Sequence, residues 1–256
     1  MKLGVIGKGI VGSAVYQGLE SIGNTMSFFD VAYQDSNIFD IFDTEIVFVC
    51  VPTEMTIDGD CDISIVEDVV QNLAEIGYRG LIAIKSTITP GTTLRLQNEF
   101  PSINICCVPE FLRSDSAFDD FFKNHDVLIV GTNSVEHHEL VVASHGSIPK
   151  TSIMVNPSEA EISKYFNNVH HAVQITFANI TYEVCKKLNA NYDNVHAAIT
   201  LRECINPHYL KANESLRGFG GKCLPKDIVA WQNLIKKLNL NFQLIEAAIN
   251  DNEKFK

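Results

Sequence analysis

The run RGFGGKCLPKD, Arg217 to Asp227, sets three glycines ahead of a cysteine, a proline, a lysine and an aspartate. A thiol so placed has two possible uses. It can lie inert in a tight turn, or it can act as a nucleophile on a loop that lets a substrate approach main chain. Cys223 stands just before a helix opened by Pro225, where the partial positive charge of a helix N-terminus stabilises a thiolate. Lys222 and Lys226 act in the same sense. An inert cysteine needs neither glycines nor charges beside it, so the nucleophile is the better reading. Lys164 and Asn168 form a second set. Four residues apart on a helical pattern, they share one face; spacing alone favours a solvated polar face, and it is the thiol loop that turns the reading toward chemistry. A third set is GVIGKGIVG, with Gly7, Gly9 and Gly12 in the GxGxxG spacing.

Two kinds of element must position these residues. Up to about residue 155, short apolar runs alternate with amphipathic ones. LGVIG, TMSFFD, EIVFVCV, LIAIKS, INICCVP, DVLIVG and TSIMV read as strands, most without polar alternation, as in strands covered on both faces. DISIVEDVVQNLAEIG and SVEHHELVVASHG carry helical spacing between them. Strand–helix alternation predicts a Rossmann-type α/β fold, a doubly wound, mostly parallel sheet, over residues 1–156. In that setting the glycine triplet follows a strand, opens a helix and precedes Asp30 at the end of the next strand. This is the dinucleotide context, with the acid favouring NAD over NADP.

From residue 157 the texture is helical. Ile162, Phe166, Val169, Val173, Phe177, Ile180, Val184 and Leu188 recur every three or four residues, which predicts one helix of about eight turns. Ser158 with Glu161 reads as a capping box at its start, with Pro157 suiting the entry. Helices are also expected from Pro225 through WQNLIKKLNL and over FQLIEAAINDNEKF. Residues 157–256 therefore form an all-helical central domain of the dimerisation type, with the glycine-rich loop inside it.

A chain of 256 residues holds one large domain or two modest ones. The net charge of −11 argues against nucleic acid or an anionic membrane surface as a partner, so an anionic ligand must be held by local donors. The longest apolar run is too short to span a bilayer, and no targeting segment precedes the first strand. Seven cysteines without CxxC spacing suit a reducing, cytoplasmic setting. The histidines lack metal-ligand spacing, so no metal is expected. Glu54, Asp58 and Asp60 read as a solvated loop. Glu110 could be a turn acid, and Thr87 a helix cap.

The runs GVIGKGIVG, VPTE, KSTITPGTT, VPEFLR, SEAEISKYFNN and GFGGKCLPKD follow one another as they do in the UDP-glucose/GDP-mannose dehydrogenase family, which the chain resembles along nearly its whole length. The resemblance implies NAD-dependent oxidation of a nucleotide sugar to its acid, with UDP-glucose as the leading substrate. It places the cofactor against Gly7, Lys8, Gly9, Ile10, Val11 and Gly12, against Asp30, and against Val51, Pro52, Thr53, Ser86 and Thr87. It makes Cys223 the nucleophile that forms a thiohemiacetal and then a thioester. Lys164 and Asn168 become the groups that steady the oxyanion, and Asp227 holds the water and the lysine. Glu110 and Thr87 serve the hydrolytic water and proton transfer. The sugar nucleotide would meet Glu110, Phe111, Leu112, Arg113, Lys164, Asn168, Tyr209, Phe219, Gly220 and Gly221. The long helix would form a homodimer core.

Three departures stand out. Ser114-Asp115 follows PEFLR where the family usually has Glu-Gly. Cys204 stands where members often carry an arginine reaching a neighbouring subunit, a role open to Arg202 or Arg217. The C-terminal nucleotide-binding domain of full-length members is not in this sequence, and a separate nucleotide-binding partner is one way to supply it. Two other readings stay open: a two-electron 3-hydroxyacid-type dehydrogenase, which has no use for Cys223, and a non-catalytic NAD-binding subunit.

Overall fold

Each of the seven apolar runs is a strand in the computed structural model, which describes residues 1–255. The strands are β1 (Lys2–Ile6), β2 (Thr25–Phe29), β3 (Ile46–Val49), β4 (Leu81–Ile84), β5 (Asn104–Cys107), β6 (Val127–Gly131) and β7 (Thr151–Val155). They form one sheet in the order β2-β1-β3-β4-β5-β6-β7. Neighbours are parallel except β5 and β6, which meet antiparallel at Cys107 and Gly131.

Alternate residues of the central strands enter two separate cores, which is why these strands read as unbroken apolar runs. Ile46 and Phe48 of β3 pack with α1 (Ile10–Ser21), α4 (Ala117–Phe122) and α5 (Val135–His145). Val47 and Val49 pack with α2 (Ser64–Glu75) and α3 (Thr92–Glu99). Helices on both faces of a mostly parallel sheet make this a doubly wound, Rossmann-type fold. Chain order reverses between β1 and β3, so the carboxyl ends of those strands frame the crevice where such sheets take ligands.

The first core holds an unusual polar element. His145 is fully buried, edge-on to Phe48 at 5.6 Å and to His125 at 6.0 Å. Its Nδ1 lies 2.9 Å from the Val141 carbonyl, and its Nε2 has no partner. Burial, helped by the nearby Lys85 charge, pushes its pKa down to about 3. A histidine depressed in the folded state takes up its proton only on unfolding. Its contribution is therefore complete above the unfolded value of about 6.5 and is lost as pH falls toward the folded value. At about 1.4 kcal/mol per pH unit, His145 alone should remove about 2 kcal/mol of stability at pH 5. Urea unfolding at pH 7 and pH 5 checks this, and His145→Phe should lessen the difference by that amount.

The chain divides into two compact units. Residues 1–54 and 61–164 form the first, and residues 55–60 with 165–256 form the second. The second contains most of α6 (Pro157–Lys187), then α7 (Tyr192–Ile199), α8 (Leu224–Lys237) and α9 (Leu244–Glu253). Its main core joins Val169 and Ala172 of α6, Ile228 of α8, Ile245 and Ala248 of α9, and Phe219 from the glycine-rich loop. The short segment 55–60 is tied to α8: Asn233 donates to the Asp58 carbonyl at 2.7 Å, and Lys237 pairs with Asp60 at 2.6 Å. The expectation of a merely solvated acidic loop is corrected here, since Asp60 and the Asp58 backbone are engaged.

The start of α6 also differs from expectation. Its capping box is Asn156 with Glu159. The Asn156 side chain accepts from the Ser158 N–H at 2.9 Å, and Glu159 accepts from the Asn156 N–H at 2.8 Å. Pro157 takes the first helical position, where its missing N–H costs nothing. Glu161, 1% exposed, is used elsewhere. It accepts from the backbone N–H groups of Gly91 and Thr93 and so closes the N-terminus of α3. The apolar stripe of α6 splits as well. Val169 is buried, whereas Phe166, Phe177, Val184 and Leu188 are 71%, 65%, 51% and 73% exposed, a face that the fold of one chain does not cover. Among the described residues no helix is long and apolar enough to cross a membrane.

Candidate active site

The carboxyl ends of β1, β2, β3 and β4 carry the residues read as the cofactor site. Gly7 to Gly12 turn from β1 into α1, whose N-cap is Gly9. A Cβ on Gly12 would come within 1.9 Å of the Gly7 carbonyl oxygen, whereas one on Gly9 would point into open space. The turn thus demands glycine where helix meets strand and leaves room beside the helix N-terminus, as a pyrophosphate cradle requires. Asp30 follows β2. Its carboxylate accepts the N–H groups of Lys8 at 2.6 Å and Ala32 at 2.8 Å, two of about four acceptor positions, and the others can serve a ribose diol. The Lys8 ammonium lies over the rings of Phe28 at 3.7 Å and Tyr16 at 4.1 Å. Val51, Pro52 and Thr53 continue from β3, and Ser86 and Thr87 from β4. The Ser86 hydroxyl donates to the Val51 carbonyl at 2.7 Å, locking the two segments together. These residues fit a dinucleotide.

Glu110 belongs to the same unit and is no surface turn acid. It is 7% exposed, with Oε2 3.0 Å from the Lys85 ammonium and Oε1 accepting the Phe111 N–H at 3.0 Å. Burial alone would raise its pKa, but the charge of Lys85, with His125 and these hydrogen bonds, outweighs it and holds the carboxyl below the usual value. Lys164, half-buried on the second turn of α6, donates to the Glu110 carbonyl at 2.6 Å and lies 5.6 Å from the Phe111 ring. The solvated reading of Lys164 therefore fails. Arg113 makes a paired contact to Asp120 at 2.8 and 2.7 Å, which holds that carboxyl well below its ordinary range. Ser114 to Ser116 form a short 3₁₀ turn. Thr87 is half-buried, and its carbonyl accepts from the Cys61 thiol at 3.4 Å. It caps no helix, because Gly91 is the N-cap of α3.

The second unit carries the thiol. Cys223 is exposed and is the N-cap residue of α8, with Pro225 just inside the helix, as expected. One turn on, Asp227 is fully buried. Its Oδ2 accepts from the Asn168 amide at 2.6 Å and its Oδ1 from the Lys226 ammonium at 2.6 Å. Asn168 is itself 5% exposed, so this residue too is not part of a solvated face.

Two features shape the loop before Cys223. Gly218 has a left-handed φ of +60°, and a Cβ there would meet the Asn252 side chain at 2.5 Å. Asn252 accepts from the Phe219 N–H at 2.6 Å and donates to its carbonyl at 3.0 Å. The Phe219 ring is buried in the core, so this residue can offer a substrate only its backbone, whereas Gly220 and Gly221 are exposed. Tyr209 holds a strained φ of +64°, and its ring lies tilted by 31° against that of His171 at 4.1 Å. Arg217, one of two residues considered for the missing arginine, is committed within its own unit to Glu183, Tyr182 and Phe255. Among the described residues no cluster of histidine, cysteine and carboxylate could hold a metal ion.

Lys85 and Asn252 are the site-supporting residues that sequence reasoning missed. A lysine ending the buried run LIAIK was the available signal, since a charge on a doubly covered strand must find a partner.

Comparison with known proteins follows the same division. Residues 33–146 match the NAD binding domain of the UDP-glucose/GDP-mannose dehydrogenase family, and residues 158–254 match its central domain. Over 228 residues the chain is 31% identical to the UDP-glucose 6-dehydrogenase of Rickettsia typhi, covering 85% of this chain and 52% of the relative. A similar match, 31% over 219 residues, is to the UDP-glucose 6-dehydrogenase of Rickettsia bellii, covering 82% and 50%. The structure of a UDP-glucose dehydrogenase from Pyrobaculum islandicum superposes with a TM-score of 0.88 at 28% identity, covering 99% of this chain and 68% of that one. The chain thus spans about half the length of the curated relatives it matches.

Proposed function

This chain belongs to the UDP-glucose/GDP-mannose dehydrogenase family, and on that premise we propose that it carries the NAD-binding and central portions of a nucleotide-sugar 6-dehydrogenase that oxidises UDP-glucose to UDP-glucuronate. Residues 1–156 would serve the cofactor and supply Glu110 and Thr87, and residues 157–256 would supply Cys223, Lys164, Asn168 and Asp227. The observation that carries this reading is the setting of Cys223. It is an exposed thiol at the start of α8, one turn from a buried aspartate that holds Asn168.

Bound NAD supplies the hydride acceptor for a reaction that removes four electrons from the sugar. The chain supplies the rest. At the aldehyde level the Cys223 sulfur adds to C6, and the carbonyl electron pair moves to oxygen, giving a thiohemiacetal. After the second oxidation C6 is a thioester. Water then adds, the C–S bond breaks, the thiolate is regained and the acid is released. Lys164 and Asn168 would stabilise the oxyanion, Asp227 would keep the Asn168 amide aimed, and Glu110 would take the proton from the attacking water. Thr87 would assist that transfer, and the main chain of Phe111 to Arg113 and of Phe219 to Gly221, with Tyr209, would contact the sugar nucleotide.

The exposed apolar stripe of α6 supports a homodimer built on that helix, because a face of this kind is covered in use. Seven free cysteines support a reducing, cytoplasmic setting. The test is the amount of NADH formed per sugar consumed, across UDP- and GDP-sugars. Two NADH per UDP-glucose are expected. One per substrate would favour a two-electron dehydrogenase. NAD binding without turnover would favour a non-catalytic subunit or one needing a separate nucleotide-binding partner.

A further inference from the structure

We propose that Lys85 is a positioning residue for Glu110, its buried ammonium holding the carboxylate in place and supplying its counter-charge. The inference rests on the reading of Glu110 as the group that takes a proton from the hydrolytic water.

The Lys85 side chain is 0% exposed and that of Glu110 8%, so the ammonium has no contact with solvent and the carboxylate keeps only a little. The backbone of Lys85 is fixed by its N–H to the Val49 carbonyl at 2.9 Å, which leaves the side chain little freedom at its root. Its ammonium lies 5.7 and 5.8 Å from the Phe121 and Phe48 ring centroids and 3.0 Å from Glu110 Oε2. A buried ammonium among aromatic rings is costly unless an anion meets it, and Glu110 does. The second carboxylate oxygen is fixed by the Phe111 N–H, and the carbonyl of the same residue receives the Lys164 ammonium. Glu110 is thus held at three points, with a lysine at each end.

The other titratable groups facing this pair are His125, which follows α4, His145 of α5, Cys50, which follows β3, and Cys106 and Cys107 of β5. Burial lowers the pKa of both histidines and raises those of the thiols, Cys50 and Cys106 to about 12. At the carboxylate the Lys85 charge is the largest influence opposing burial, with His125 next, and Lys164 is the cation at the carbonyl. Without Lys85, burial is the largest remaining influence on Glu110, and burial raises a carboxyl.

The test follows the Glu110 carboxyl directly, by carbon-13 NMR of the full-length chain labelled at glutamate, with Glu110→Gln identifying the resonance. In the wild type it should titrate below an ordinary glutamate. In Lys85→Met it should titrate higher by about two pH units or more, and Lys85→Arg should recover much of the difference. An unchanged Glu110 titration in Lys85→Met overturns the proposal. Should Lys85→Met not fold, Lys85→Met/Glu110→Gln decides. A folded double variant supports the pairing, and failure of both overturns it.

The acid limb of the pH profile of acid release from UDP-glucose should rise with the carboxyl. If the carboxyl moves and that limb does not, Glu110 is not the base. The functional reading of Glu110 then fails while the pairing survives.

Discussion

Cys223→Ser is expected to lower acid release from UDP-glucose by at least about 10³-fold while leaving folding and NAD binding unchanged. A hydroxyl at this position is a poor nucleophile without a base beside it, and an oxygen ester would not reproduce the thioester route. The thiol is exposed and no helix-capping hydrogen bond uses it, so the fold has little to lose. Surface replacements of this kind stay within about 0.5 kcal/mol of the parent. The measurement pairs acid formation, by chromatography of the sugar nucleotide, with a thermal melt. Undiminished acid release from a folded Cys223→Ser protein would remove the thiol from the mechanism.

Asp227→Ala should destabilise the helical unit by about 3–5 kcal/mol. Asp227 has no exposed surface, and its two oxygens answer a buried amide, Asn168, and an ammonium, Lys226, whose side chain is 11% exposed. Alanine leaves both donors without an acceptor. Asparagine can still accept from Asn168 but gives Lys226 no charge, so Asp227→Asn should fall between the two, at about 1–2 kcal/mol. Urea unfolding of the three proteins ranks them. A loss under about 1 kcal/mol for the alanine variant would mean that water satisfies these donors once the carboxylate is gone.

Much of this architecture is legible in residue order, for physical reasons. Strands buried on both faces must be apolar at successive positions, which makes β3 and β4 the plainest, whereas the edge strands β2 and β7 are only partly buried and show as shorter apolar runs. The eight-turn helix shows in its 3.6-residue period, and the dinucleotide turn in glycines that packing makes obligatory, as at Gly12. What stays hidden is pairing across the chain. Lys85 meets Glu110 across 25 residues, and no local pattern joins them. The supposed capping role of Ser158 and Glu161 matched a local rule, but Asn156 and Glu159 satisfy that rule better, and Glu161 serves a helix 70 residues earlier. Phe219 sits in a run of glycines that reads as flexible, yet its ring is a core residue that anchors the loop. Apolar periodicity on α6 also gives the helix without saying which face its own chain covers.

The side-chain amide of Asn252 stands opposite the peptide of Phe219 and exchanges both hydrogen bonds with it, as a neighbouring strand would. The two residues are 33 apart, and the asparagine comes second. During synthesis from the N-terminus the glycine loop before Cys223 therefore leaves the ribosome before the group that shapes it. Until α9 emerges, the Phe219 peptide lacks the amide that holds it in the folded unit. The order of translation thus delays the moulding of the loop before Cys223 until α9 has been made.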